Sequence, residues 1–211
     1  MTPEESSLQA AEICQLAPVV PVLVVEDAGT AADLAAALVA GGLPALEVTL
    51  RTAEALDVIR EMATVEGGVV GAGTLLTPAD VVAAKEAGAL FGVTPGTTDR
   101  LIDAALDAEL PLLPGAATAT ESLRLLERGF SIQKFFPAEA SGGVPALKSI
   151  GAPMPQIRFC PTGGVSLKNA PDYLGLSNTI CVGGSWVAPK DAVDAHDWAR
   201  ITELATEASK L

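Results

Sequence analysis

One pattern constrains this chain more than any other. Short apolar runs ending near Gly, Pro or Thr recur along its length, and a helical stretch follows each. The runs are VVPVLVV (19–25), ALEVTL (45–50), VVGAGT (69–74), ALFGV (89–93), PLLPG (111–115), IQKFF (132–136), IRFCP (157–161) and TICVG (179–183). Eight strands alternating with helices demand a parallel sheet, and at this count a closed barrel.

The helix starts carry their own chemistry. Helices are predicted to begin at Thr30, Thr52, Thr77, Thr97, Thr118, Gly143 and Ser166, with a last one over DWARITELATEASKL. Thr77-Pro78-Ala79-Asp80 offers a capping hydroxyl, a proline at the first helical position and an acid in the first turn. Thr118-Ala119-Thr120-Glu121 and Thr2-Pro3-Glu4-Glu5 are capping boxes. Gly41-Gly42, Gly88 and Gly129 stop three helices.

The 211 residues supply about 26 per unit, near the lower limit for a (β/α)8 TIM barrel, and leave no room for a second comparable domain. The expectation is an α/β chain forming one barrel domain over 1–211, with residues 1–16 as an extra N-terminal helix capping the barrel floor. The alternative is a doubly wound open sheet. No Gly-x-Gly-x-x-Gly follows the first strand to support it.

Composition excludes several function classes. Acids outnumber bases 26 to 13, for a net charge of -13, which opposes nucleic-acid binding. No apolar run approaches the roughly 20 residues of a membrane helix. The acidic opening, MTPEESSLQAAEI, does not read as a signal peptide. Cys14, Cys160 and Cys181 are odd in number and scattered in sequence, as expected of reduced thiols in a cytoplasmic protein. An anionic substrate would have to be captured by local positive groups, against the overall field.

In a barrel, chemistry sits at the C-terminal ends of the strands. Of six lysines, Lys134 alone lies inside an apolar strand. Such a lysine either completes a structural ion pair or supplies an amine that attacks a carbonyl. In ALEVTLR, period-two alternation puts Leu46, Val48 and Leu50 toward the helices and Glu47, Thr49 and Arg51 toward the lumen. Glu47 and Arg51 either neutralise each other or divide the work. In the second case Glu47 is a general acid/base and Arg51 holds a substrate carboxylate. Gly163-Gly164 and Gly183-Gly184-Ser185 end the last two strands, where this fold binds phosphate; glycine pairs also serve plain turns. Arg158 sits deeper, and a floor ion pair is expected for it.

Absences narrow the chemistry. The single histidine, His196, lies beside the last helix, so a Ser-His-Asp triad or a His-ligated metal is not expected. Tyr173 falls in a predicted helix and is given no role.

The stretches PVVPVLVV, LEVTLRT, VGAGTLL, PLLPG, KFFPAEASGG, RFCPTGGVS and GGSW closely resemble the 2-keto-3-deoxy-6-phosphogluconate aldolase / 4-hydroxy-2-oxoglutarate aldolase family, over essentially the whole chain from Pro18. These are class I, Schiff-base aldolases. The resemblance implies that Lys134 forms the Schiff base and Glu47 transfers protons. Arg51 and Thr74 would hold the pyruvyl carboxylate. Gly163, Gly164 and Ser185 would bind phosphate, with Thr162, Pro95 and Phe136 lining the pocket. It further implies a homotrimer in the Entner–Doudoroff route, a phosphorylated 2-keto acid substrate, pyruvate as product, and no metal or cofactor. Rival readings are an aldolase for the 6-phosphogalactonate epimer, a phosphate-binding synthase or isomerase that uses Lys134 only as a charge, and a non-catalytic sugar-phosphate binder.

Overall fold

The computed structural model describes residues 1–211. Its strands are β1 (Val19–Leu23), β2 (Ala45–Thr49), β3 (Val69–Gly73), β4 (Phe91–Val93), β5 (Leu112–Leu113), β6 (Gly115–Ala116), β7 (Ile132–Phe135), β8 (Arg158–Pro161) and β9 (Val182–Gly184). All pairings are parallel. One sheet runs β5-β4-β3-β2-β1-β9 and the other β6-β7-β8. Single bridges at Phe159–Thr179 and Thr162–Gly183 link β8 to the β9 segment. On the other side β5 and β6 are separated by Pro114 alone. The sheet is therefore a curled parallel one with helices outside.

PLLPG was expected as one strand and is two, because proline has no N–H to donate to the ladder. TICVG contributes only its end to β9, with Thr179 making a lone bridge.

The main helices are α1 (Pro3–Cys14), α2 (Ala31–Ala40), α3 (Ala55–Met62), α4 (Pro78–Glu86), α5 (Asp99–Asp107), α6 (Ala119–Glu127), α7 (Gly143–Gly151), α8 (Ala170–Leu174), α9 (Lys190–Asp194) and α10 (Trp198–Ala208). Both expected capping boxes form, and Thr77 with Asp80 makes a third. The cap of α5 is Thr98, one residue later than expected. The helix expected from Ser166 starts only at Ala170. The Asn169 side chain accepts from the Ser166 amide at 2.7 Å and holds those residues in a turn.

Period-two alternation sorts the core. Leu46 and Val48 join the large apolar cluster under the helices, with Leu50 packed against it. Val20, Ala45, Phe91, Val93, Leu113, Ile132, Cys160 and Cys181 form a smaller cluster with Cys14 on the sheet's inner face. Helix α1 reaches the strand starts: Ser6 Oγ accepts from the Leu112 amide at 2.9 Å, and Ser7 Oγ from those of Ser131 and Ile132 at 3.0 and 3.1 Å. These bonds satisfy backbone donors that no strand neighbour reaches.

Candidate active site

Above the inner apolar cluster, the same face turns polar. Glu47 on β2 and Lys134 on β7 point inward from non-adjacent strands and meet. Lys134 Nζ donates to Glu47 Oε1 at 3.0 Å and Oε2 at 3.3 Å, with Lys134 5% and Glu47 2% exposed. The ammonium also stands 5.4 Å from the centre of the Phe136 ring. Two opposite charges removed from water are costly unless matched, and each supplies what the other needs. The remaining lysines sit on helices or connecting segments; Lys190, for example, bridges Glu26 and Asp194 at the surface.

The alternation in ALEVTLR placed Glu47 and Thr49 correctly. Thr49 is buried and donates to the Leu23 carbonyl at 2.8 Å, tying β2 to β1. Arg51 lies past the strand end and does not pair with Glu47. Its Nε donates to Thr74 Oγ1 at 3.3 Å instead. Thr74 has φ 60°, an unfavourable conformation for a β-branched residue, at the point where β3 ends. The two residues expected to share one carboxylate are thus in direct contact.

Space for Glu47 is made by Gly73. A Cβ there would come within 2.7 Å of Glu47 Cγ and 2.8 Å of Cδ. Pro95 is fixed by its neighbours: the Gly115 amide donates to Thr94 Oγ1 at 3.1 Å, and Thr97 Oγ1 donates to the Gly115 carbonyl at 3.1 Å. Gly115 in turn registers with Lys134. Neither glycine stood out in the sequence, since a packing requirement between strands leaves no local motif.

The bridge between Thr162 and Gly183 brings the Gly163-Gly164 and Ser185 segments side by side. Gly163 and Gly164 have φ of 100° and 78°. The amides of Gly163, Gly164 and Ser185 donate no hydrogen bond within the chain. A cavity of about 480 Å³, lined in part by Val22, Val24, Ser185, Lys190 and His196, opens beside them and meets the site only through Ser185. Buried Thr162 directly precedes the glycine pair at the end of β8, half-buried Phe136 follows Lys134 by two residues, and half-buried Pro95 lies just past β4. The glycine pair of β9 is explained by packing. A Cβ on Gly183 would strike the Thr162 side chain, and one on Gly184 the Trp186 ring.

One expectation changes, and two others gain a structural context. Arg158 makes no ion pair. The cysteines are scattered in sequence but gather in the inner cluster, all free and buried. Contact with the Cys14 and Cys160 thiols, with burial, pushes the Cys181 thiol well above its ordinary range, so it is an inert packing group. Tyr173 is fully buried and donates to Glu139 Oε1, a contact across 34 residues that no local pattern announces. His196 is exposed, stacks on Trp198 and precedes the cap of α10, as its position suggested.

An amine held against a carboxylate, with a guanidinium and unbonded amides nearby, is equipped for covalent chemistry on an anionic carbonyl compound. Comparison with known proteins agrees. The family model for KDPG and KHG aldolase matches residues 10–204. The chain is 53% identical to the 2-dehydro-3-deoxy-phosphogluconate aldolase of Pseudoalteromonas atlantica, covering 90% of this chain and 89% of that one. It is 50% identical to the KHG/KDPG aldolase of Escherichia coli K12, over 94% of each. Among solved structures it superposes on the 2-keto-3-deoxy-6-phosphogluconate aldolase of Zymomonas mobilis ZM4 with 3-phosphoglycerate (TM-score 0.92, 49% identity, 96% of each chain). It also matches the KDPG aldolase of Legionella pneumophila with pyruvate captured as a covalent carbinolamine (TM-score 0.91, 44% identity, 94% of this chain and 97% of that one). The chain belongs to the KDPG and KHG aldolase family.

Proposed function

We propose that this chain is a class I aldolase that cleaves 2-dehydro-3-deoxy-6-phosphogluconate to pyruvate and glyceraldehyde 3-phosphate, and that it also acts on 4-hydroxy-2-oxoglutarate. The observation that carries the reading is the buried Lys134–Glu47 pair, 3.0 Å apart at the mouth of the sheet. Glu47 is placed to accept a proton from the ammonium, and the freed amine attacks the C2 ketone. Glu47 returns that proton to the carbinolamine hydroxyl, which leaves as water to give an iminium and a Glu47 carboxylate ready to accept again. As the C4 hydroxyl loses its proton to Glu47, directly or through a water, the C3–C4 bond breaks and its electron pair moves toward the iminium nitrogen. Glyceraldehyde 3-phosphate leaves. Glu47 then protonates the enamine at C3, and hydrolysis releases pyruvate. Covalent attachment divides one hard step into easier ones.

Arg51 and Thr74 hold the pyruvyl carboxylate. Gly163, Gly164 and Ser185 take the phosphate, and Thr162, Pro95 and Phe136 line the space between. The fold is read as one (β/α)8 domain over 1–211 closed through Pro114 and the β8–β9 bridges, with α1 as its floor; the Ser6 and Ser7 contacts support this. A homotrimer in the cytoplasm, working in the Entner–Doudoroff route, completes the proposal.

Pyruvate and borohydride test it. One reduced pyruvyl group should appear on Lys134, identified by peptide mass, and none should appear in Lys134→Arg, whose guanidinium keeps its charge and offers no free amine. Full activity in that variant removes the covalent mechanism. Assays on the phosphorylated gluconate and galactonate epimers then fix the substrate.

A further inference from the structure

Glu139 lies just beyond β7, in the loop that carries the chain from Lys134 toward α7, and it is an acid set against the segment proposed to receive a phosphate. Its backbone amide donates to the Gly163 carbonyl at 3.0 Å. Its stem fills the space where Gly164 would carry a Cβ, at 2.7 Å from both Glu139 Cβ and Cγ. Asn169 Nδ2 holds the Gly164 carbonyl from the other side at 3.2 Å. The loop carbonyls are therefore tied down, and the amides of Gly163 and Gly164 are left unbonded.

A carboxylate next to two unbonded amides is itself a ligand for them, as any anion is. Here it is turned away. Glu139 Oε1 accepts from the hydroxyl of Tyr173, whose ring is fully buried in α8. Gly143 closes the other side, where a Cβ would stand 3.3 Å from Glu139 Oε1 and 3.5 Å from the Tyr173 oxygen. Burial first, and then the bond to Glu139, raise the Tyr173 phenol above its ordinary range, so it remains a donor.

We infer that Tyr173 is a positioning residue for the phosphate subsite: it tethers the Glu139 carboxylate so that the Gly163 and Gly164 amides stay free for an incoming phosphate instead of being capped by the chain's own acid. The inference rests on the phosphate assignment made above. Tyr173 touches no substrate atom, and its effect passes entirely through Glu139.

The test is a double-mutant cycle with two substrates. Tyr173→Phe deletes one hydroxyl and keeps the buried ring. In it, KM for 2-dehydro-3-deoxy-6-phosphogluconate should rise roughly tenfold, the scale of one hydrogen bond to a charged group. The inhibition constant of inorganic phosphate should rise with it. Deuterium exchange into the pyruvate methyl group should be unchanged, since pyruvate has no distal anion. Adding Glu139→Gln to Tyr173→Phe should restore most of the phosphate affinity, because the neutral amide competes weakly for the loop. A purely structural tyrosine would not be rescued in this way. An unchanged KM in Tyr173→Phe, an equal fall in pyruvate exchange, or a double variant no better than the single one each overturns the inference. Competition by inorganic phosphate in the unaltered protein separates the two levels. If phosphate does not compete there, the phosphate assignment fails and this inference with it. If it competes and the cycle is flat, only the role of Tyr173 is lost.

Discussion

Lys134 and Glu47 are 87 residues apart in the chain, and their charged atoms are 3.0 Å apart in the folded protein. The sheet achieves this by placing β2 and β7 on opposing parts of its curl, with Glu47 and Lys134 both turned inward. In the proposed mechanism the pair gives the amine a proton acceptor and sets the acid where it can exchange protons with the bound substrate.

Replacing Glu47 with Gln keeps a side chain of nearly the same shape and removes the proton carrier. Pyruvate should still be trapped on Lys134 by borohydride, because a buried lysine with no carboxylate beside it sheds its proton to water more readily. Exchange of pyruvate methyl protons with deuterated water, followed by NMR, should slow by about 10²- to 10⁴-fold, the range for a general acid/base. Exchange at the unaltered rate would dismiss Glu47 from proton transfer.

Gly73→Ala should act on the same step without touching either charged residue. The added methyl would lie 2.7 Å from Glu47 Cγ, so the buried Glu47 side chain must shift to accept it. A displacement of that kind is expected to reduce methyl exchange on the order of ten- to a hundredfold. Circular dichroism should match the parent protein. Equal exchange rates would mean that Glu47 tolerates the shift and that its placement is not critical.

These contacts also show where the sequence stops being informative. Lys134 and Glu47 were legible singly, because each interrupts an apolar strand, and alternation in ALEVTLR fixed the face on which Glu47 lies. Their pairing was not legible: the one pairing weighed for Glu47 was with Arg51, four residues on, as the alternative to separate roles, and the structure gives Arg51 to Thr74. The capping boxes were read correctly because their chemistry is local. The gathering of three cysteines and the Tyr173–Glu139 bond depend on which distant strands and helices become neighbours. No short window encodes that.

A pH prediction follows from the α6 cap. The Ala117 amide above all, against the opposing effect of burial and helped by the Thr118 hydroxyl and amide, holds the Glu121 carboxyl below its ordinary value of 4.5. A folded value below the unfolded one means that the stabilisation is complete above about 4.5 and lost as pH falls through the folded value. Glu121→Ala should therefore cost about 1 kcal/mol near neutral pH, typical of a lost cap. The two proteins should converge in strongly acidic buffer. Urea unfolding at a series of pH values checks this, and a constant gap down to strong acid would deny the carboxylate its capping role.

The proposed phosphate site needs a variant that leaves the backbone alone. Gly163 and Gly164 are poor choices, since φ of 100° and 78° disfavours any side chain and a Cβ on Gly164 would meet Glu139 before any ligand. Ser185 is exposed just past β9, lines the 480 Å³ cavity, and its hydroxyl has no partner in the chain. Ser185→Ala should lower kcat/KM for 2-dehydro-3-deoxy-6-phosphogluconate about tenfold, as expected when one hydrogen bond to a charged group is lost. Some of that fall should appear in kcat, because remote binding energy helps to orient the C4 hydroxyl over the reacting pair. Pyruvate trapping on Lys134 and methyl exchange should be unaffected, since pyruvate ends short of the loop. If all three readouts fell together in a folded variant, Ser185 would be supporting the strand end rather than holding a phosphate.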